Sequence, residues 1–228
     1  MQRELDEFLK LSKIFSDKGF HLYLVGGSVR DFLIFKQIKD FDLATDATPE
    51  EISSFVENCD MTFSHLGTSK IKTKYYSFLI TTFRKESAYK DSRHPSKITF
   101  VKDMKIDVKR RDFTINGLYM DDHFKVYDFI GGENDINKKI IRMIGKPSKR
   151  IKEDPLRIIR AIRFSLEFGF TLDKKLEKTI RKKGKLLLKL NQDKVRQEIK
   201  KMDYIDSSRK EEAYKNLNVF KYLADVVK

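Results

Sequence analysis

The sequence predicts an α+β domain followed by an all-α basic domain. Three observations carry that expectation. Over residues 20–145, short apolar runs of strand length alternate with helical periodicity and are separated by glycine or polar turns. After Pro147 every segment reads as helix. Charge divides in a similar way: residues 1–135 hold 21 Lys and Arg against 22 Asp and Glu, a net of −1, whereas 136–228 hold 27 against 12, a net of +15. The boundary is expected near Gly145–Lys149, giving domains over 1–146 and 147–228.

In chain order, an amphipathic helix is expected from about Gln2 to Asp17; its acidic residues rule out a signal peptide. Gly19 leads into "FHLYLVGG", which reads as a buried strand ending in a glycine turn. "SVRDFLIF" then reads as a helix and "KDFDLAT" as a second strand. "TPEEISSFVENC" opens a helix with Thr48 as N-cap, Pro49 at the first helical position and Glu51 completing a capping box. "KTKYYSFLITTF" and "KITFV" are further strands, and "DVKRRDFTINGLYMD" is expected to begin as a helix. "KVYDFI" and "KIIRMIG" flank the turn at Gly131–Gly132 as a hairpin or a pair of short strands. "DPLRIIRAIRFSLEFGF" is a helix with Pro155 in its first turn and Gly169 at its end.

Composition narrows the function classes. No apolar run approaches the roughly 18 residues of a membrane span. The single cysteine, Cys59, excludes an intramolecular disulfide framework and a cysteine zinc site, and makes a reducing cytoplasm the default compartment. The formal charge of +14 sits in the C-terminal part, which favours a polyanion such as nucleic acid; solvated helix faces are the other reading.

The residues with chemistry cluster in "VGGSVRDFLIFKQIKDFDLATDATPE". Alternate side chains of a strand share a face, so Asp40 and Asp42 point one way and Phe41 and Leu43 can be buried on the other. Two neighbouring carboxylates repel each other, and a hard divalent cation such as Mg2+, which also holds phosphates, relieves that repulsion. A solvated turn explains a lone D-x-D pair equally well. Gly26 and Gly27 end a strand and precede a helix, so backbone N–H groups there can face a phosphate, with Ser28 and Arg30 as further donors. The combination fits phosphoryl or nucleotidyl transfer.

These residues resemble the first motif of the class II tRNA nucleotidyltransferases, a family that includes CCA-adding enzymes and bacterial poly(A) polymerases. "RRDFTINGLYMD" (Arg110–Asp121) resembles the second motif and "DFIGGENDINKKIIR" (Asp128–Arg142) the third. "EDPLRIIRAIRF" (Glu153–Phe164) resembles the base-selecting motif, and "KVRQEI" (Lys194–Ile199) the fifth. The resemblance implies a nucleotidyltransferase-fold head, with a mixed β-sheet and flanking helices, followed by a helical neck. It implies that Asp40 and Asp42 bind catalytic Mg2+. It also implies template-free addition of C and A to the 3′ end of tRNA from CTP and ATP. Arg111 is then expected near the triphosphate, Asp112 and Asn116 near the ribose, and Arg160 at the nucleotide. Asp154 and Arg157, three apart on a helix, would offer the polar edges of C or A a hydrogen-bonding partner. The alternative for Asp154 is a helix cap. Asp112 and Asn116 are expected on one helix face, with Phe113 and Ile115 in the core.

"RKESAYKDSRHPSKITF" (Arg84–Phe100) resembles the loop linked in this family to the switch from C to A addition, with Asp91 and Arg93 at its charged positions. Arg163 is expected to face RNA or to act as a structural cation. Arg181, Lys182, Lys183, Lys185, Lys194 and Arg196 offer a phosphate-binding surface on the neck. Three features depart from the common pattern. Phe35 replaces a usual glycine and is expected to reshape the turn before Asp40. Leu79 stands where many members carry an acid. The chain ends at Lys228, whereas typical members continue into body and tail domains; a minimal enzyme and a truncated form are both expected to rely more on the basic neck. The alternatives are A-only, CC-only or poly(A) addition, or an idle RNA-binding module. The oligomeric state stays open.

Overall fold

Leu22–Val25, the strand before the glycine turn, is buried at every residue, because it is a central strand covered on both faces. The structure is a computed structural model and describes residues 2–38, 40–89 and 95–223. In chain order the first elements are α1 (Gln2–Asp17), β1 (Leu22–Val25), α2 (Gly27–Leu33), β2 (Asp42–Thr45), α3 (Pro49–Phe55), β3 (Cys59–Asp60), β4 (Thr68–Lys72) and β5 (Ser77–Thr82). They continue with β6 (Arg84–Tyr89), β7 (Pro95–Phe100), α4 (Met104–Asp107), β8 (Leu118–Met120), β9 (Val126–Asp128), α5 (Gly132–Asn137) and β10 (Ile140–Ile141). The remainder comprises α6 (Pro147–Glu153), α7 (Leu156–Phe168), β11 (Thr171–Leu172), α8 (Lys174–Lys183), α9 (Gln192–Lys200) and α10 (Ser207–Asn216). Among the described residues no helix is long and apolar enough to cross a membrane.

Contacts divide the chain into two compact units: Met1–Ser87, Lys97–Arg111 and Ile115–Glu133 form one, and Ala88–Ser96, Asp112–Thr114 and Asn134–Lys228 the other. The first contains a seven-stranded mixed sheet of order β3-β4-β5-β2-β1-β8-β9. Only β2 and β5 run parallel; the other neighbours, such as β1 with β2 and β8, are antiparallel. The expected α+β class with a mixed sheet and flanking helices is therefore what the chain forms. Phe8, Leu11 and Phe15 of α1 are buried, as its amphipathic pattern requires. The expected capping box is present at Thr48 and Glu51.

Among its described residues, the part of the second unit from Asn134 onward is helical except for the short parallel pair of β10 and β11. Burial of Leu156, Ile158, Ile159, Ala161, Ile162 and Phe164 covers most faces of α7, as expected for a central helix. Gly169 ends α7 with φ 67, a left-handed cap that glycine adopts without steric cost.

Two local expectations are corrected. The segment "DVKRRDFTINGLYMD" starts in helical turns but does not continue as one helix to Asn116. α4 stops at Asp107, 3-10 turns follow at Val108–Arg110 and Thr114–Asn116, and Arg111 is extended. Tertiary pairing overrides the local pattern here: Phe113 is fully buried and its backbone bridges Met143. Of the two readings of "KVYDFI" and "KIIRMIG", the hairpin is corrected and the two short strands are present as β9 and β10. β9 pairs with β8, α5 intervenes, and β10 pairs with β11.

The turn at Phe35 keeps the backbone that a glycine would adopt. The N–H of Lys36 bonds to Asp31 C=O (2.8 Å) and that of Phe35 to Phe32 C=O (3.1 Å), the paired bonds that close a helix with a left-handed residue. Phe35 is that residue, with φ 54, and its ring is 98% exposed. The ring contributes almost no burial to offset the strain. Phe35→Gly is therefore expected to stabilise the protein by about 1 kcal/mol, read as a higher urea midpoint with an unchanged denaturant slope.

Candidate active site

The acidic pair is held at the mouth of β2 by a serine from the glycine turn. Ser28 Oγ donates to the Asp40 carbonyl (2.9 Å) and accepts the Asp42 N–H (2.9 Å). Phe41 and Leu43 are buried while Asp40 and Asp42 are exposed, which is the alternation the sequence predicts. Asp40 lies in a bend just before the strand, and Asp42 is its first residue. The neighbouring position on β5, in register with Asp42, is Leu79, so β5 adds no acid there. Among the described residues no group of three or more His, Cys, Asp or Glu side chains is arranged to hold a metal ion. Two exposed carboxylates with hard oxygen donors suit Mg2+, which completes its shell with water and substrate phosphates rather than an all-protein cage. The residues present therefore fit that ion.

Gly26 has φ 68 and ψ −123, a backbone conformation that non-glycine residues rarely adopt. Its N–H is bonded to Leu118 C=O (3.1 Å), so it is not a phosphate donor. The first-turn amides of Gly27 and Ser28 have no acceptor within α2. Arg30 is buried rather than solvent-facing. Its guanidinium donates to Asp31 (2.7 Å) and to Asn116 Oδ1 (2.6 Å), tying two of the expected nucleotide ligands together.

A buried carboxylate that the sequence reading did not single out organises the basic part of this unit. Asp107 is fully buried. Its Oδ1 accepts the Arg84 backbone N–H (3.0 Å) and Arg110 Nε (2.8 Å); its Oδ2 accepts Arg111 Nη2 (2.9 Å) and Tyr119 OH (2.6 Å). Burial opposes its ionisation, but Arg111 and Arg110, with the Tyr119 and Arg84 hydrogen bonds, hold the carboxyl well below the usual range. Arg111 also donates Nε to Tyr119 OH (3.0 Å), and its guanidinium carbon lies 5.0 Å from that ring centroid. Burial disfavours its charge, and Tyr119 and Asp107 outweigh that penalty. A side chain at Gly26 would meet Arg111 Nη1 at 3.7 Å, so the arginine lies against the glycine turn. The spacing of Asp107 to Arg110 and Arg111 in "DVKRR" was the available signal.

In the other unit, Asp112 Oδ2 accepts both Arg160 Nε (2.8 Å) and Nη2 (2.5 Å). The expected helix face shared by Asp112 and Asn116 does not exist, because the chain between them is not one helix. Glu198 lies beneath the arginines: buried, it accepts Arg163 Nε (2.8 Å) and Lys201 Nζ (3.0 Å), with Arg160 Nη1 at 3.8 Å. Burial raises its pKa, and Arg160 and Arg163 pull it below the ordinary value. Arg163 also pairs with Glu167 (3.0 Å), so it is a structural cation here. Asp154 and Arg157 do not share a helix face either. Asp154 is extended and caps α7 by accepting the Leu156 N–H (3.0 Å). Arg157 is buried and donates to Arg150 C=O (2.8 Å), with Glu153 at 3.4 Å. Pro155 separates the two residues and starts the helix one position later.

On the basic surface, Arg181, Lys182, Lys185, Lys194 and Arg196 are exposed and Lys183 is half-buried. Arg181 pairs with Glu177 (2.7 Å) and Arg196 with Asp193 (3.0 Å). Asp91 and Arg93 lie outside the described residues.

Residues 22–142 match the poly A polymerase head domain family. The chain belongs to that family. The motif resemblance and the head fold it implied are thus borne out. Similar proteins include the CCA-adding enzyme of Lactobacillus helveticus, 42% identical over 208 residues, which cover 90% of this chain and 52% of that protein. The Bacillus stearothermophilus CCA-adding enzyme in complex with CTP matches at TM-score 0.79 and 34% identity, over 87% of this chain and 48% of that one. A tRNA nucleotidyltransferase complexed with a primer tRNA and an incoming ATP analog matches at TM-score 0.74 and 26% identity, over 95% and 62%. This head-domain family member spans about half the length of the curated relatives it matches.

Because the Asp107 carboxyl is held below its unfolded value, its stabilisation is present above about pH 4 and fades as pH falls toward the folded value. Asp107→Asn is expected to lose about 3 kcal/mol at pH 7, since two half-buried arginines lose their counter-charge. Urea unfolding at pH 3 should show a gap narrower by about 1 kcal/mol.

Proposed function

We propose that the chain is a template-independent tRNA nucleotidyltransferase that adds C and A to the tRNA 3′ end from CTP and ATP. The observation that carries this reading is the exposed Asp40–Asp42 pair, clamped by Ser28 in a unit where Arg111 lies against the glycine turn. The CCA-adding names and the CTP and tRNA complexes among its relatives support the same specificity. Residues 1–146 act in this reading as the catalytic head and 147–228 as the helical neck. The cytoplasmic tRNA pool is the proposed setting.

The primer's 3′-hydroxyl oxygen attacks the α-phosphorus of the nucleotide, and pyrophosphate leaves. Asp40 and Asp42 would hold the Mg2+ ions, which when bound favour the attacking alkoxide and neutralise the departing pyrophosphate. Arg111, with the Gly27 and Ser28 amides, donates to the triphosphate. Its guanidinium is oriented in advance by Asp107 and Tyr119, so little rearrangement accompanies binding. Arg30 acts through Asn116, which addresses the ribose. Asp112 fixes Arg160, and Asp154 with Arg157 discriminates the base. For Arg157 this requires its hydrogen bond to the Arg150 carbonyl to be shared or exchanged. Arg181, Lys182, Lys183, Lys185, Lys194 and Arg196 contact RNA phosphates without reading sequence.

The family matched is named for poly(A) polymerase, which keeps poly(A) synthesis as a second specificity to be tested. Products made from tRNA lacking its 3′ end, with CTP alone, ATP alone and both, separate CCA, CC, A and poly(A) addition by length on a gel. Addition of C, C and A is expected; a long A ladder overturns the CCA assignment. Asp40→Ala should lower incorporation by about a thousandfold or more without a change in unfolding midpoint, and normal incorporation would refute the metal assignment.

A further inference from the structure

Asp107 divides its two oxygens between adjacent arginines. Arg111, on Oδ2, lies against the glycine turn. Arg110, on Oδ1, lines a cavity of about 290 Å³ together with Lys85, Glu86, Ile106 and Lys109. Among the described residues the wall carries three cations and one carboxylate, and that carboxylate is already matched: Glu86 pairs with Arg84 at 2.8 Å and lies 3.7 Å from Arg110. Among the described residues neither Lys85 nor Lys109 has an ion-pair partner, and both are exposed.

This is not the background charge of the region, because residues 1–135 as a whole net −1. Arg110 differs from an ordinary surface arginine as well. Its side chain is only 14% exposed and is held by Asp107 and Glu86, so most of its ordering entropy is already lost before any ligand arrives. The volume lies near the low end of ligand clefts, about 300 Å³, with room for a phosphodiester and part of a ribose against Ile106.

We infer that this cavity is a second anion site, apart from the glycine turn, that takes a backbone phosphate of the RNA primer. Arg110 forms its rigid inner donor, and Lys85 and Lys109 are the solvated outer cations. Lys85 and Glu86 lie on β6, which pairs with β7, whereas Ile106 lies in α4 and Lys109 and Arg110 in the turn after it, so the phosphate would bridge the start of β6 to the segment that delivers Arg111. The contacts are to phosphate and sugar and so carry no base preference, as a primer whose terminal base changes with each addition requires. This inference rests on the proposed reading that RNA is the primer.

The test uses the double variant Lys85→Ala/Lys109→Ala, which touches none of the residues assigned to the nucleotide. Binding of fluorescent tRNA lacking its 3′ end is measured by anisotropy from about 50 to 200 mM salt. The variant should bind roughly 5- to 10-fold more weakly at the low end, with a salt slope shallower by about 1 to 2. Its KM for CTP and its unfolding midpoint should be unchanged, and Lys85→Arg/Lys109→Arg should retain binding. Equal affinity and slope for wild type and variant would overturn the inference while leaving the proposed function intact. Inorganic phosphate provides the second arm. If the variant loses stabilisation by phosphate yet binds tRNA normally, the site takes a free anion and the RNA assignment falls. A wild-type protein that binds no tRNA would remove both the function and this site.

Discussion

A carboxylate cut off from water is stable as an anion only if its surroundings supply what water would have supplied. Asp107 meets that condition with two arginines, a tyrosine hydroxyl and a backbone N–H. Each of those donors comes from a part of the chain with other work. Arg84 opens β6, Arg111 reaches the glycine turn, and Tyr119 lies in β8 of the central sheet. The constraint runs in both directions: the arginines keep the acid ionised, and the acid fixes where they point. The segment from 107 to 116 abandons a helix where Phe113 is buried and its backbone bridges Met143.

The same logic of fixed polar partners recurs at the acidic pair. Ser28 is a short side chain on α2, yet it spans the backbone on both sides of Phe41. Phe41 is buried below, so the peptide can neither flip nor rise, and the two carboxylates remain outside. Arg30 contributes at a distance by tying α2 to Asn116. A glycine turn with a weak sequence signature thus becomes a rigid frame through contacts that lie far apart in the chain.

In the helical unit, Glu198 does for Arg160 and Arg163 what Asp107 does for Arg110 and Arg111. The difference is location: Arg163 is consumed by acids of its own unit, whereas the exposed lysines of α8 and the following turn stay in solvent. A basic composition therefore splits into two populations, cations that build the protein and cations that face outward. Net charge alone does not distinguish them.

Local chemistry was legible from the amino-acid order: the strand before Gly26, the capping box at Thr48, the alternation of Asp40 and Asp42 with Phe41 and Leu43, and the helical run closed by Gly169. Each depends on neighbours within a few residues, where periodicity and turn preferences dominate. The role of Asp107, the burial of Arg30 and Arg157, and the break in the helix between Asp112 and Asn116 were settled only by tertiary packing. An isolated charged residue favours water, and its sequence context says nothing of the distant arginine, tyrosine or carbonyl that makes burial tolerable. Hydrophobic periodicity can be read along a chain; the pairing of buried charges is a property of the chain folded back on itself.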